Sequence, residues 1–183
     1  MAFDFSTLTK QIQETEEWLS REFSGVRTGR ASVALLDSIK PEVYGARTPI
    51  QQVGSITVED ARTIRIVPWD KANAKAIEKA ITEADLGVSV VLDDTGLRVI
   101  FPELTAERRT MLQKLAGEKC EQARVTLRGH RTEAMKALEQ AEKDGGMGKD
   151  ELHRLKEELQ KHVDKGQEAL DALLKKKQEE IAQ

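Results

Sequence analysis

Three arginines, Arg124, Arg128 and Arg131, stand four and three residues apart. On a helix that spacing puts all three guanidiniums on one face. The same segment carries an apolar stripe on another side, at Leu112, Leu115, Cys120, Ala123, Leu127, Ala134, Ala137 and Ala141. The arginines are therefore expected to face outward. From Arg108 to Arg131, Arg109 included, seven basic residues stand against two acidic ones, Glu118 and Glu121. A rigid rod with such a stripe suits a phosphate backbone, whereas most charge runs are solvated helical faces.

No other group of residues assembles into a reactive centre. Gly145-Gly146-Met147-Gly148-Lys149 lacks the spacing of a phosphate loop, and Asp150 stands where that loop needs a hydroxyl. It reads as a turn between helices. His130, His153 and His162 have no metal-ligand spacing; His153 and His162 are expected in solvent, and His130 at the edge of a core. Asp93-Asp94 reads as turn chemistry rather than as an acid–base pair, and no serine sits in a nucleophile elbow. The expectation is a protein that is not an enzyme, with no catalytic residues, metal or cofactor.

Composition narrows the partners. The formal net charge is −3 and aromatic residues make up 4% of the 183, so a basic function must be local. The single cysteine, Cys120, lies on an apolar stripe and is expected to be a buried hydrophobe. The start of the chain, Met1-Ala2-Phe3-Asp4-Phe5, has no basic leader or long apolar core, and no apolar run approaches a membrane span. These features predict a cytoplasmic protein with no membrane partner.

The elements that must position the arginines follow from periodicity. Leu8, Ile12, Leu19, Phe23 and Val26 predict a first helix, interrupted at Thr28-Gly29-Arg30. Val33–Leu36 is long enough for one or two helical turns. Pro41, Gly45, Pro49 and Gly54 then break the chain at short intervals. Ile56–Val58 and Thr63–Val67 predict strands, and a helix follows Asp70 or Asn73 as far as Ala84. Val88–Leu92 and Leu97–Phe101, around Asp93-Asp94-Thr95-Gly96, predict a hairpin.

Thr105 is placed to cap a helix of roughly 40 residues, about 60 Å long. Leu152, Leu155, Leu159, Val163, Gly166, Leu170, Leu173 and Ile181 predict another, with Lys175-Lys176-Lys177 suiting its negative end. Three one-striped helices satisfy each other in an antiparallel bundle. The fold class is thus α+β: residues 1–30 and 104–183 form a three-helix bundle, and residues 31–103 form an inserted β-rich, sandwich-like domain. That insert carries eight basic against eleven acidic residues, so the basic stripe belongs to the bundle. Its two crossings, near Arg30 and Glu103, are expected to hinge.

Several runs resemble the bacterial ribosome recycling factor family. They are Arg27-Thr28-Gly29-Arg30-Ala31-Ser32, Leu35-Leu36-Asp37, Val43-Tyr44-Gly45, Thr48-Pro49-Ile50, Ile77–Ile81, Asp85-Leu86-Gly87, and Ala123-Arg124-Val125 with Arg128 and Arg131. Leu104-Thr105 with Glu107-Arg108-Arg109 continues the match. The resemblance implies the same bundle-plus-insert fold and a monomeric translation factor that occupies the vacated tRNA region of the ribosome. There, with elongation factor G and GTP hydrolysis on that partner, it would split the subunits. It implies contact with large-subunit rRNA through Arg131 and Arg128, with Arg124, Arg108, Arg109 and Arg27 beside them, and a hinge at Gly29, Arg30, Ala31, Pro102, Glu103 and Leu104. Gly129, Thr132, Ile100 and Ser89-Val90 depart from the family's usual residues. A helical adaptor that binds other proteins is the alternative, and it predicts an apolar stripe left exposed.

Overall fold

In a computed structural model, which describes residues 4–182, the chain runs α1 (Ser6–Ser24), a 3-10 turn at Val33–Leu36, β1 (Glu42–Val43), β2 (Ala46–Arg47) and α2 (Ile50–Val53). It continues through β3 (Gly54–Asp60), β4 (Thr63–Pro68), a 3-10 turn at Lys71–Asn73, α3 (Ala74–Glu83), β5 (Ser89–Asp93) and β6 (Gly96–Ile100). It ends with α4 (Ala106–Lys143) and α5 (Lys149–Ala182). The fold is α+β. Two units emerge: one reaches as far as Phe23 and resumes at Gln113–Gln178, and the other is Ser24–Leu112 with the residues from Glu179. Met1–Phe3, part of the stretch read for a leader, and Gln183 lie outside the described residues.

The first unit is built by helices that cannot stand alone. Leu8, Ile12, Leu19 and Phe23 of α1 are buried, as are Ala116, Cys120, Ala123, Leu127 and Leu138 of α4, and Leu155, Leu159, Val163 and Leu170 of α5. Ion pairs fix the directions. Lys119 meets Glu22 at 2.6 Å, Arg124 meets Asp171 at 2.6 Å, and Lys156 meets Glu139 at 2.7 Å. Partner numbers in α5 fall as those in α4 rise, so α5 runs antiparallel to α4. Gly166 marks where three helices meet: a Cβ there would sit 2.8 Å from Ile12 Cγ2 and 3.5 Å from Leu127 Cδ1. Only glycine allows that approach.

The α4 stripe differs from the one expected. Leu115 and Ala137 are exposed, while Ala116 and Leu138 are buried. Steps of four, four, three and four from Leu112 to Leu127 keep the stripe under its partners, and Leu115 falls off that line. His162 also departs from expectation, being half-buried with its ring 5.4 Å from that of Phe5. Lys177 is buried at a stripe position of α5 rather than solvated at the helix end. Cys120 is buried as expected, its Sγ 3.8 Å from the Leu170 carbonyl, and burial raises its thiol pKa.

In the second unit the four-stranded antiparallel sheet has the order β3-β4-β6-β5, and β1 and β2 form a separate hairpin. Alternation decides its faces. Ile64, Ile66, Leu97 and Val99 point into a core closed by Ile77 and Ile81 of α3 and by Leu36, Ile50 and Phe101. On the outer face Arg65 lies directly opposite Arg98, a repulsive pairing. Glu59 and Asp93 offset it: Glu59 accepts from Arg98 Nε and Nη2 at 2.9 and 2.8 Å, and Asp93 Oδ2 lies 3.1 Å from Arg65 Nη2.

Asp93 also holds the β5–β6 turn, accepting from the Thr95 and Gly96 amides at 2.8 and 2.9 Å. The Thr95 hydroxyl and these amides, with Arg65 beside them, lower its pKa from the ordinary 3.8 to about 2. A lowered carboxylate pKa adds stability that is fully present above pH 4 and disappears as the pH falls toward 2. Thermal unfolding of wild type and Asp93→Asn across pH 2–6 checks this. The wild type should lose more stability than the variant on the acid limb, and parallel curves would remove the turn from acid unfolding.

Candidate nucleic-acid interface

The helix that carries the arginines is continuous for 38 residues, about 57 Å at 1.5 Å per residue. Thr105 begins it, its Oγ1 accepting from the Arg108 amide at 3.2 Å. In the first unit Arg124, Arg128 and Arg131 do share a face, but carboxylates answer two of them. Arg124 Nη2 donates to Asp171 Oδ1 at 2.6 Å, and its Nη1 lies 3.5 Å from Glu121. Arg128 Nη2 donates to the other oxygen of Glu121 at 2.7 Å. These pairings lower the pKa of Glu121 and Asp171 and raise that of Arg124, so those three groups are ionised at neutral pH.

Arg131 stands apart. Its Nε donates to the amide oxygen of Gln160 at 2.8 Å, and no carboxylate among the described residues pairs with it. A neutral acceptor orients the guanidinium without cancelling its charge. Three cations and two anions leave the cluster with one net positive charge, centred on Arg131.

Counting charges along α4 alone missed this, because Asp171 arrives from α5, 47 residues away. The one signal within reach was Glu121, three residues before Arg124 and seven before Arg128. Gly129, between Arg128 and the half-buried His130, has nothing within 4 Å of an added Cβ. Gly129→Ala should therefore stabilise the helix by about 1 kcal/mol, read as a higher unfolding temperature. An unchanged or lower value would mean that this glycine relieves a bend.

The remaining candidates lie in the second unit. Arg108 is exposed. Arg109 Nη1 donates to the Ala182 carbonyl at 3.1 Å and so closes the C-terminal end of α5. Arg27 is folded inward over the Phe101 ring, 5.7 Å from its centroid. Its Nη1 donates to the carbonyls of Leu86 and Gly87 at 3.2 and 2.6 Å, and its Nη2 to that of Pro102 at 2.6 Å. Burial, with Arg108 nearby, lowers its pKa, which still leaves it charged.

The six residues singled out as a hinge all fall inside this unit. The Arg30 amide donates to Thr28 Oγ1 at 3.4 Å, and the Ala31 amide to the Ala61 carbonyl at 2.8 Å. Glu103 pairs with Arg62 at 2.7 Å, Pro102 supplies a carbonyl to Arg27, Gly29 is half-buried, and Leu104 is buried. The division between units falls between Phe23 and Ser24 and between Leu112 and Gln113. Among the described residues no set of His, Cys, Asp and Glu could hold a metal ion, and no helix is long and apolar enough to cross a membrane.

Comparison with known proteins adds to this geometry. The sequence model of the family described as ribosome recycling factor matches residues 19–182. A ribosome-recycling factor from Rickettsia conorii is 43% identical over 182 residues, covering 97% of this chain and 98% of the relative. One from Bifidobacterium longum subsp. infantis is 45% identical over 172 residues, with 94% of each chain covered. A solution structure of the ribosome recycling factor superposes with a TM-score of 0.75 at 37% identity, covering 100% of this chain and 99% of that one. A second structure, of the T. thermophilus factor and E. coli elongation factor G bound to the E. coli post-termination complex, gives a TM-score of 0.65 at 38% identity over 96% and 95% of the two chains.

Helices with a guanidinium cluster, joined to a small sheet unit and matched end to end by such relatives, define a translation factor. The chain belongs to the ribosome recycling factor family.

Proposed function

We propose that this protein binds the post-termination ribosome in the region vacated by tRNA. There, with elongation factor G and GTP hydrolysis on that partner, it promotes separation of the subunits and release of mRNA and tRNA. The observation that carries the reading is the match to family members over nearly the whole chain, the T. thermophilus factor with elongation factor G on the post-termination complex among them. The guanidinium cluster of α4 acts as the anchor, with Arg131 and Arg128 foremost on large-subunit rRNA and Arg124 in support; Arg108 and Arg109 add contacts from the second unit, where Arg27 is engaged by carbonyls.

Residues 1–30 and 104–183 form this anchoring part and residues 31–103 the moving part, with Gly29, Arg30, Ala31, Pro102, Glu103 and Leu104 flexing between them. The protein works as a cytoplasmic monomer and catalyses no reaction of its own. Free energy for splitting comes from the partner GTPase, because a cation cluster and a turn-rich sheet supply binding and leverage only.

Sucrose-gradient analysis of post-termination ribosomes tests this reading directly. Subunits should separate when this protein, elongation factor G and GTP are all present, and stay joined when any one is omitted. Ribosomes that stay joined in the complete mixture would overturn the proposal.

A further inference from the structure

Two aromatic rings stand in solvent on the second unit, in a chain with only seven aromatic residues. Tyr44 is 83% exposed and Trp69 is 71% exposed, while Phe5, Phe23 and Phe101 are buried. Tyr44 and Gly45 form the two-residue turn between β1 and β2, with φ of 53° and 79°. Positive φ at both positions is the geometry that Asn-Gly favours, and a bulky residue is strained there. Local preference is thus set aside to hold a tyrosine at the tip, and such violations gather at functional positions.

The ring is also held in place. Its hydroxyl donates to Asp70 Oδ2 at 2.6 Å, while Asp70 Oδ1 accepts from the Ala72 amide at 2.9 Å. Trp69, the residue before Asp70, is tied by its own amide to the Val53 carbonyl at 3.0 Å.

Charge decides what such a corner can bind. Residues 31–103 carry more acids than bases, yet the segments 40–47 and 69–75 around these rings hold Lys40, Arg47, Lys71 and Lys75 against Glu42 and Asp70. Among the described residues none of the four cations is ion-paired. A tethered tyrosine ring and an exposed tryptophan, in segments with unpaired cations, are the composition of a nucleobase-stacking site, with phosphates met at the rim.

We propose that the Tyr44–Trp69 corner is a stacking platform for unpaired bases of ribosomal RNA, with Arg47 and Lys71 on the flanking phosphates. The proposal rests on the ribosome-binding reading above and adds to it a second RNA contact, separate from the arginines of α4.

The test uses the full chain with Trp18→Phe, which leaves Trp69 as the sole tryptophan, together with purified ribosomes. Binding should quench Trp69 fluorescence and protect a small set of unpaired adenines from dimethyl sulfate. Trp69→Ala and Tyr44→Asn should each weaken binding about tenfold and erase those protections. Because asparagine suits the turn, Tyr44→Asn should unfold at the same or a higher temperature than its parent, which separates lost stacking from lost fold. Wild-type affinity and protections in both variants would overturn the platform. So would persisting protections with a photo-crosslinker at position 44 captured by a protein, which assigns the corner to a protein partner. If the parent itself fails to bind ribosomes, the broader reading falls instead.

Discussion

Arg131→Glu should weaken ribosome binding more than 100-fold at physiological salt and leave the unfolding temperature within about 4 °C of the parent. Of the three arginines on the α4 face, this one alone has no carboxylate partner among the described residues, so it holds the net charge of the cluster. Reversal takes the cluster from one positive charge to one negative, and the anchor becomes repulsive to phosphate. Each phosphate contact contributes roughly 0.9 to the log–log salt slope, so the slope should flatten by about one unit in a neutral Arg131→Gln. Stability changes little because the lost bond is a single half-buried one to a neutral amide, and such a bond contributes about 1 kcal/mol net. Glu121→Gln should shift affinity the other way, since it frees Arg128 and Arg124 from a shared anion. Equilibrium binding of ribosomes across a salt series reads all three variants. Normal binding by Arg131→Glu would remove the cluster from the anchor.

Much of the fold was legible because periodicity is local. The α4 helix spans 38 residues where about 40 were expected, the β5–β6 hairpin falls where its turn residues placed it, and the two strands expected from β-branched runs pair as β3 and β4. What the chain hides is contact across distance. The α4 stripe departs from expectation at Leu115, because which of an adjacent leucine and alanine turns inward depends on partner helices. Lys177 occupies an apolar register that no charge-counting rule assigns to a lysine. The neutralisation of Arg124 was invisible for the same reason, as Asp171 comes from another helix. Residue type announces that a guanidinium will find anions or carbonyls; only the folded chain decides which.

Arg27 shows how far that difference reaches. It opens the run that most resembles the family, and the resemblance sets it beside the RNA-contacting arginines. Yet its Nη1 and Nη2 donate to Leu86, Gly87 and Pro102, which lie 59, 60 and 75 residues on in the chain. These bonds fasten the residues after α1 to the end of α3 and to the exit from β6, with the Phe101 ring beneath. Arg27→Ala should therefore act on stability. Charge-assisted bonds contribute about 1.5–3 kcal/mol each when buried, but water can replace the exposed part of this set, so a net loss of about 2 kcal/mol is expected. For a unit of this size that lowers the unfolding temperature by roughly 10 °C. Arg27→Lys should recover little, since one ammonium on a flexible stem cannot span three carbonyls at these positions. Ribosome affinity measured well below the transition should stay within a few-fold of wild type, with an unchanged salt slope. Stability held while affinity and slope both fall would make Arg27 an RNA contact, and its three carbonyl bonds would then be incidental to the fold.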